Sequence, residues 1–334
     1  GKKEKIMKRA RVVRFGEPAE VVSLFDVPLG EPKAGEAQVA VLASPINPAD
    51  LLRIRGEYGY GPSAPTLPFW AGIEGVGRVE AVGEDVSNVQ VGDLVMLARV
   101  NGIWGEKLNA EAAGLVTLPA DADPLQAAML VVNPPTAECM LSDFVDLAEG
   151  DWVIQNAGNS AVGHHVIRLA ATKGVRTLNV VRREGLEEAL TDAGADVVLV
   201  DGDDLAQRVA EATDGALPRL AIDAVGGDAT GRLAGCLEKS GTVVVYGLLS
   251  GEDSRVPVPL TVFNDIRIRG FLLPHALGAR TPEEVQALYA RLNGLVLAGT
   301  LAVTVEAIYP LSELSDALKH AERPGRGGKI LIKP

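Results

Sequence analysis

The sequence predicts an α/β protein of two domains: a compact, partly barrel-like β domain, then a doubly wound parallel sheet. Three observations predict it. Residues from about 10 to 125 are rich in valine, glycine and proline and fall into short alternating runs, as strands joined by turns do. From Asp151 the chain switches to β-prone runs that alternate with helical segments, the order that builds a parallel sheet. Where that alternation begins, Asp151 to Gly163 carries a short apolar strand into a turn of small residues. A length of 334 residues agrees, since it exceeds one typical domain.

In the first domain Val12–Phe15, Glu36–Ala43, Gly75–Val82 and Asp93–Ala98 read as strands. Asn47–Arg53 reads as a short helix, with Pro48 in the first turn, where a missing N–H costs nothing. A loop rich in Gly, Pro and Tyr runs from Gly56 to Pro68, and Leu125–Leu141 has the period of one helix linking the domains. Strands then fall near Trp152–Asn156, Thr177–Val181, Val197–Val200, Leu220–Asp223, Thr242–Tyr246 and Ile266–Phe271. The helices between them fall near Ala161–Lys173, Leu186–Ala193, Leu205–Thr213 and Gly227–Leu237. A helix over Pro282–Ala298 precedes two short strands, Val303–Ala307 and Lys329–Lys333, with Pro310–Ala321 as one helix between them. That tail has too few β–α units for a third domain, so it is expected to return to the first.

The turn after Trp152–Ile154 carries the first functional signal. Helical period resumes at His164, with Val166, Ile167, Leu169 and Ala170 apolar. Such a turn, here Asn156, Gly158, Asn159, Ser160, Ala161, Val162 and Gly163, can hold a pyrophosphate on backbone N–H groups at a helix start. The Gly-x-Gly-x-x-Gly spacing reads Gly158, Ser160, Gly163, so the middle glycine is missing and an ordinary strand–turn–helix stays open. The next strand ends at Arg182-Arg183, 19 residues after Gly163. An NAD site places an acid there for the ribose 2′-hydroxyl. Here the first carboxylate is Glu184, behind two guanidinium groups suited to a 2′-phosphate. The expected cofactor is therefore NADPH, and the alternative is a solvated basic turn.

Composition sets limits. A 47% hydrophobic chain with 23% charged residues is well cored, and no apolar run approaches the ~20 residues of a membrane span. A net charge of −12 argues against a nucleic-acid surface. The first eleven residues hold six Lys or Arg but lack the apolar core of a secretory signal. Met7 can serve as an initiator, so Gly1–Ile6 reads as an appended remnant. Cys139 and Cys236 make no disulfide framework, and a reducing cytoplasm is expected.

Over nearly its whole length the chain resembles the medium-chain dehydrogenase/reductase superfamily. The residues that carry this are Ile46-Asn47-Pro48-Ala49-Asp50, Gly72-Ile73-Glu74-Gly75-Val76-Gly77, Val91-Gly92-Asp93, Thr136-Ala137, Asn156–Gly163 and Gly328-Lys329. Within it, three stretches are similar to trans-2-enoyl-thioester reductases of fatty-acid synthesis: Arg55-Gly56-Glu57-Tyr58-Gly59, Val132–Ala137, and Val153–Ser160 continuing to Asn179-Val180-Val181-Arg182. The resemblance implies a GroES-like domain over 1–127, a Rossmann NADP-binding domain over 128–276, a return segment over 277–334, and an active site in the interdomain cleft. Residues 270–277 depart from the reductases' Phe-Trp-Leu segment. The Pro68–Gly72 approach is closer to quinone reductases.

No metal is expected. In zinc alcohol dehydrogenases of the superfamily a Cys stands where Asn47 is and a His where Ile73 is, and a four-cysteine site cannot form from two cysteines. His164 and His165 open the helix behind the loop, and His275 and His320 have no paired ligand in the sequence. Without a Lewis acid, reduction of a polarised C=C bond is the natural chemistry. Hydride from the nicotinamide adds to the β-carbon of an enoyl thioester, and the resulting enolate needs a hydrogen-bond donor and a proton, which a phenol supplies.

Tyr58 matches the reductases' catalytic tyrosine, with Tyr60 as a rival donor. Asn47 is expected at the nicotinamide ribose or the thioester oxygen, although Asn-Pro also starts helices. Trp104 is expected in the acyl pocket, with core packing as the alternative. The resemblance further places Thr136, Tyr246, Leu272 and Lys329 at the cofactor; the plainer readings are a helix threonine, a strand-end aromatic and a surface lysine. The function read is NADPH-dependent reduction of a 2-enoyl thioester. Its rivals are a quinone oxidoreductase and a cofactor-binding protein without turnover. A homodimer through the edge near Arg267–Leu273 completes the expectation.

Overall fold

The structure, a computed structural model, describes residues 5–334. Most of the expected N-terminal remnant lies outside the described residues, and Lys5 and Ile6 already belong to the first strand. The chain divides into two compact units, one running to Val132 and resuming over Leu292–Pro334, the other spanning Asn133–Arg291.

The first unit carries β1 (Lys5–Val12), α1 (Pro18–Val21), β2 (Val22–Leu29), β3 (Glu36–Pro45) and α2 (Pro48–Arg55). It continues with β4 (Phe69–Trp70), β5 (Val76–Val82), β6 (Leu94–Leu97), β7 (Lys107–Glu111), β8 (Leu115–Thr117) and α3 (Pro124–Ala127). The expected strand at Val12–Phe15 is displaced. Val12 ends β1, and Val13 and Phe15 are exposed while Ala10 and Val12 are sealed in the core. The apolar run was real, but only its first residue faces inward.

The second unit carries α4 (Asn133–Ser142), β9 (Trp152–Asn156), α5 (Ala161–Thr172), β10 (Arg176–Val181), α6 (Glu187–Asp192), β11 (Val197–Val200) and α7 (Leu205–Ala212). There follow β12 (Leu220–Asp223), α8 (Gly227–Ala234), β13 (Thr242–Val245), α9 (Val258–Asn264), β14 (Arg267–Gly270), α10 (Leu273–Gly278) and α11 (Pro282–Leu297). The single helix expected over Leu125–Leu141 is two, broken after Ala127 because Pro134 and Pro135 supply no N–H and are tolerated only at a helix start. The chain then passes back to the first unit with β15 (Val305–Pro310), α12 (Leu314–Ala321) and β16 (Lys329–Lys333).

β9 to β14 form one parallel six-stranded sheet in the order β11-β10-β9-β12-β13-β14, a doubly wound dinucleotide-fold order that reverses beside β9. Its interior holds Ile154, Leu178, Ala221 and Val243, all fully buried. In the first unit β3, β5, β6, β7 and β8 join a seven-stranded sheet that also takes in β15 and β16, and β2-β1-β4 form a separate three-stranded sheet. The tail therefore completes the first unit, through β16 against β3. The sequence boundaries at 127 and 276 fall short of the observed division at 132 and 291. Ion pairs explain the second shift: Arg280 to Asp143 and Arg291 to Glu138 tie the segment after 276 to α4 and the residue that follows it.

Candidate active site

In the first unit, Asn47 and Lys329, both expected at the site, form one sealed network with Asp50 and Glu74. Asn47 is the N-cap of α2, with extended backbone, and is 1% exposed. Its backbone N–H donates to Asp50 Oδ2 at 2.8 Å, three residues on, a spacing that the Asn-Pro-Ala-Asp sequence carries. Its side chain does not face a free space. Nδ2 donates to Glu74 Oε1 at 2.6 Å, and Oδ1 accepts from Lys329 Nζ at 2.5 Å. Glu74 Oε2 accepts from the backbone N–H groups of Val131 and Val132. Lys329 is thus not a surface lysine but a buried one.

Burial dominates the electrostatics. It lowers Lys329 to about 8, partly opposed by Glu74 and Asp50, and it raises Asp50 to about 7. Glu74 is also pushed up by burial, against its hydrogen bonds from Asn47, Val132 and Val131 and the charge of Lys329. Asp50 Oδ1 is buried without a partner, which agrees with a carboxyl that keeps a proton near neutrality. Sequence reasoning listed Asn47 and Lys329 but assigned no role to Asp50 or Glu74. The signal was present, since both stand in the motifs quoted for the resemblance.

Tyr58 follows α2 by way of Gly56, which takes the left-handed conformation (φ 77°) that ends the helix and turns the chain back. The Tyr58 phenol is half-buried; burial raises its pKa, while the Arg53 guanidinium opposes that rise. Arg53 lies 5.7 Å from the centroid of the Tyr58 ring and 5.3 Å from that of Phe69. Tyr60 is 94% exposed, and only its backbone is engaged, with Ser63. Trp104 corrects an expectation. It is fully buried among Ala10, Ile46, Ile54 and Ala71, so it packs the core rather than lining a pocket, and its indole N–H meets no acceptor.

The second unit brings the loop residues together. Ser160, where the fingerprint lacks its glycine, is the N-cap of α5, and its Oγ accepts from the Gly163 N–H at 3.0 Å. The hydroxyl thus replaces a glycine's conformational freedom with a cap. A Cβ on Gly163 would lie 2.5 Å from the Gly158 carbonyl oxygen, so close helix–strand packing requires glycine there. Gln155, fully buried on β9, holds the Gly163 carbonyl from below at 2.9 Å and also donates to Asn179. The Gly158 and Ser160 N–H groups bond internally, to Val180 and Ala157. Among the described residues the N–H groups of Asn159, Ala161 and Val162 have no partner and form the open anion cradle.

Asn156 is committed to structure at both ends of its amide, donating to Asp223 Oδ1 and accepting from the Ala224 N–H. Asp223 organises the turn before α8 by accepting also from Val225, Gly226 and Thr230. Burial pushes the Tyr246 phenol up, and the nearby Ser160 hydroxyl opposes that rise. Tyr246 and Leu272 line a cavity of about 540 Å³ with Gly226, Gly247, Phe271 and His275. Thr136 is buried on α4. Arg182 and Arg183 stand exposed just past β10 and pair with no acid among the described residues. These free guanidinium groups and the open cradle fit a phosphorylated dinucleotide.

The fold and these two clusters define a two-unit nucleotide-binding oxidoreductase. Residues 33–120 match the family described as alcohol dehydrogenase GroES-like domain, and residues 161–293 the one described as zinc-binding dehydrogenase. The rat mitochondrial enoyl-[acyl-carrier-protein] reductase is 37% identical over 318 residues, 92% of this chain and 84% of the relative. A structure described as an NADPH:quinone reductase from Bacillus thuringiensis superposes with a TM-score of 0.92 at 29% identity, over 99% of each chain. A mycobacterial protein complexed with NADPH gives a TM-score of 0.85 at 29% identity, over 98% of this chain and 100% of the other. The chain belongs to the medium-chain dehydrogenase/reductase superfamily, in its zinc-free branch, and resembles the enoyl reductases. Zinc does not fit. No group of three or more His, Cys, Asp or Glu is placed to hold a metal among the described residues, and the Lys329 ammonium lies on the Asn47 amide where the zinc enzymes carry a thiolate. No described helix is long and apolar enough to cross a membrane.

Proposed function

We propose that the protein uses NADPH to reduce the activated C=C bond of a trans-2-enoyl thioester, with Tyr58 as proton donor. The observation that carries this reading is the 37% identity to an enoyl-[acyl-carrier-protein] reductase across 84% of that relative, with the tyrosine motif intact. The NADPH-bound mycobacterial neighbour and the unpaired Arg182 and Arg183 support the cofactor. Bound NADPH supplies a hydride to the β-carbon. The arginines would take the 2′-phosphate, and the open N–H groups of Asn159, Ala161 and Val162 would take the pyrophosphate. As the C=C electron pair moves toward the thioester oxygen, the Tyr58 O–H hydrogen-bonds that oxygen. It then delivers its proton to the α-carbon, and water restores it.

NADPH consumption with crotonyl thioesters, enones and quinones tests the reading. Thioester turnover is expected, and Tyr58→Phe should lower it about 100-fold, the contribution of a general acid. Quinone turnover that is indifferent to Tyr58→Phe would move the assignment to the quinone oxidoreductases, a reading that the Bacillus structure favours. As partner we propose a second copy of this chain at β14. That strand is the sheet's exposed edge, beside the exposed Val258, Val262 and Phe263 of α9. Sedimentation should give a dimer that Phe263→Glu weakens; a monomer at all concentrations would refute it.

A further inference from the structure

Two arginines on α2 have opposite surroundings. Arg55 is tied to Glu17 and Glu322. Arg53, two residues earlier, forms no ion pair among the described residues, with Asp50 the carboxylate that feels its charge, and its guanidinium lies 5.7 and 5.3 Å from the centroids of two aromatic rings, Tyr58 and Phe69. Phe69 is fixed in turn by the pairing of β4 with β1, where it stands opposite Val12, and by its packing on the core below. A guanidinium within cation–π range of both a core-anchored ring and a loop phenol, with Asp50 as its nearby but unbonded acid, is an unusual use of charge, since an arginine ordinarily bonds an acid or water.

We propose that Arg53 is the positioning residue for Tyr58: it restrains the ring through cation–π contact shared with Phe69, and it keeps a positive charge beside the phenol. The inference rests on the reading of Tyr58 as proton donor. When the Tyr58 O–H bond breaks and its proton bonds to the α-carbon, the electron pair of that bond stays on the phenol oxygen as phenolate. A neighbouring guanidinium stabilises that anion until water returns the proton. The charged groups that face Tyr58 are Arg53 and Asp50, both on α2. Arg53 favours the phenolate and Asp50 disfavours it, while Asp50 is itself muted by the proton it keeps near neutrality. Gly56 makes the arrangement possible, because its left-handed turn folds residue 58 back toward the last turn of the helix that bears Arg53.

Tyrosinate ultraviolet absorbance, titrated in the wild-type chain, Arg53→Met and Arg53→Lys, reads this pair without turnover. Subtracting the Tyr58→Phe form of each isolates Tyr58 from the other four of the five tyrosines. In Arg53→Met the phenol should titrate roughly 0.5–1 pH unit higher, the effect of one removed charge at a half-exposed site. Arg53→Lys, which keeps the charge, should stay near wild type. With crotonyl thioester, kcat should fall several-fold in Arg53→Met, recover in part in Arg53→Lys, and show no further loss when Arg53→Met is added to Tyr58→Phe. An unmoved titration overturns the inference, as does an equal loss from Arg53→Met with and without the phenol. If wild type fails to reduce the thioester, the functional reading falls, and the titration still decides whether Arg53 governs Tyr58.

Discussion

The two units handle charge in opposite ways. The first seals Asn47, Asp50, Glu74 and Lys329 inside its core, each within hydrogen-bond reach of another. The second leaves Arg182, Arg183 and three backbone N–H groups open to water around a capped helix start. A sealed network holds its geometry at the cost of desolvation, so every member depends on the others. An open site costs the fold little, and its residues can be changed without disturbing what lies beneath. The first arrangement suits groups that must be fixed, the second suits groups that await a ligand.

Removing the acceptor at the centre of the sealed network should have the largest effect. Glu74→Ala strands the Asn47 amide N–H and two backbone N–H groups and removes the negative charge that faces Lys329, and should cost about 3–5 kcal/mol in chemical denaturation. A loss below about 1 kcal/mol would erase the contrast between the units. Arg182→Ala or Arg183→Ala should leave stability alone and weaken NADPH binding by roughly 1.5–3 kcal/mol in calorimetry, with little change for NADH. Equal weakening of both cofactors would show that neither arginine reads the phosphate.

The third test uses pH. Asp50 is raised from 3.8 to about 7 by burial, so between these values the folded chain binds a proton that the unfolded chain has released. Wild-type stability from this group is therefore lost as pH rises from about 4 to 7. Asp50→Asn abolishes the effect, so its stability relative to wild type should climb by about 4 kcal/mol across that window and level off above it. A constant difference would mean that Asp50 is ionised throughout. The smallest effect is expected from Ser160→Ala, about 1 kcal/mol for a lost N-cap, visible as a lower melting temperature.

Much of the second unit was legible in the sequence. All six strands of its parallel sheet appear where β-prone runs stand, within one or two residues; the central β9 and β12, buried at every residue, write themselves as largely apolar runs, while the edge strand β14 is exposed and was placed by the alternation of elements. The first unit was harder to read. β2, β7 and β8 went unrecognised, β7 and β8 because they are only five and three residues long, and β2 because all eight of its residues are half-buried or exposed. Site residues divide the same way. The loop from Asn156 to Gly163 is a local strand–turn–helix, so its turn and helix start could be read from neighbouring residues. Lys329, 282 residues from Asn47, reaches that side chain only because β16 pairs with β3. Trp104 carried no sequence mark that separates a core indole from a pocket wall.

By itself the sequence determined the α/β order, the strand–turn–helix that makes an anion cradle, the paired arginines beyond β10 and the lack of a zinc ligand set. Each of these is written in residues close together along the chain, where local chemistry suffices. Only the tertiary structure decided that Lys329 is buried, that Glu74 anchors Asn47, that Trp104 is core and that the Arg53 guanidinium comes within 5.7 Å of the Tyr58 ring centroid. Burial and long-range hydrogen bonding depend on which distant segments share a neighbourhood, and no local pattern encodes that.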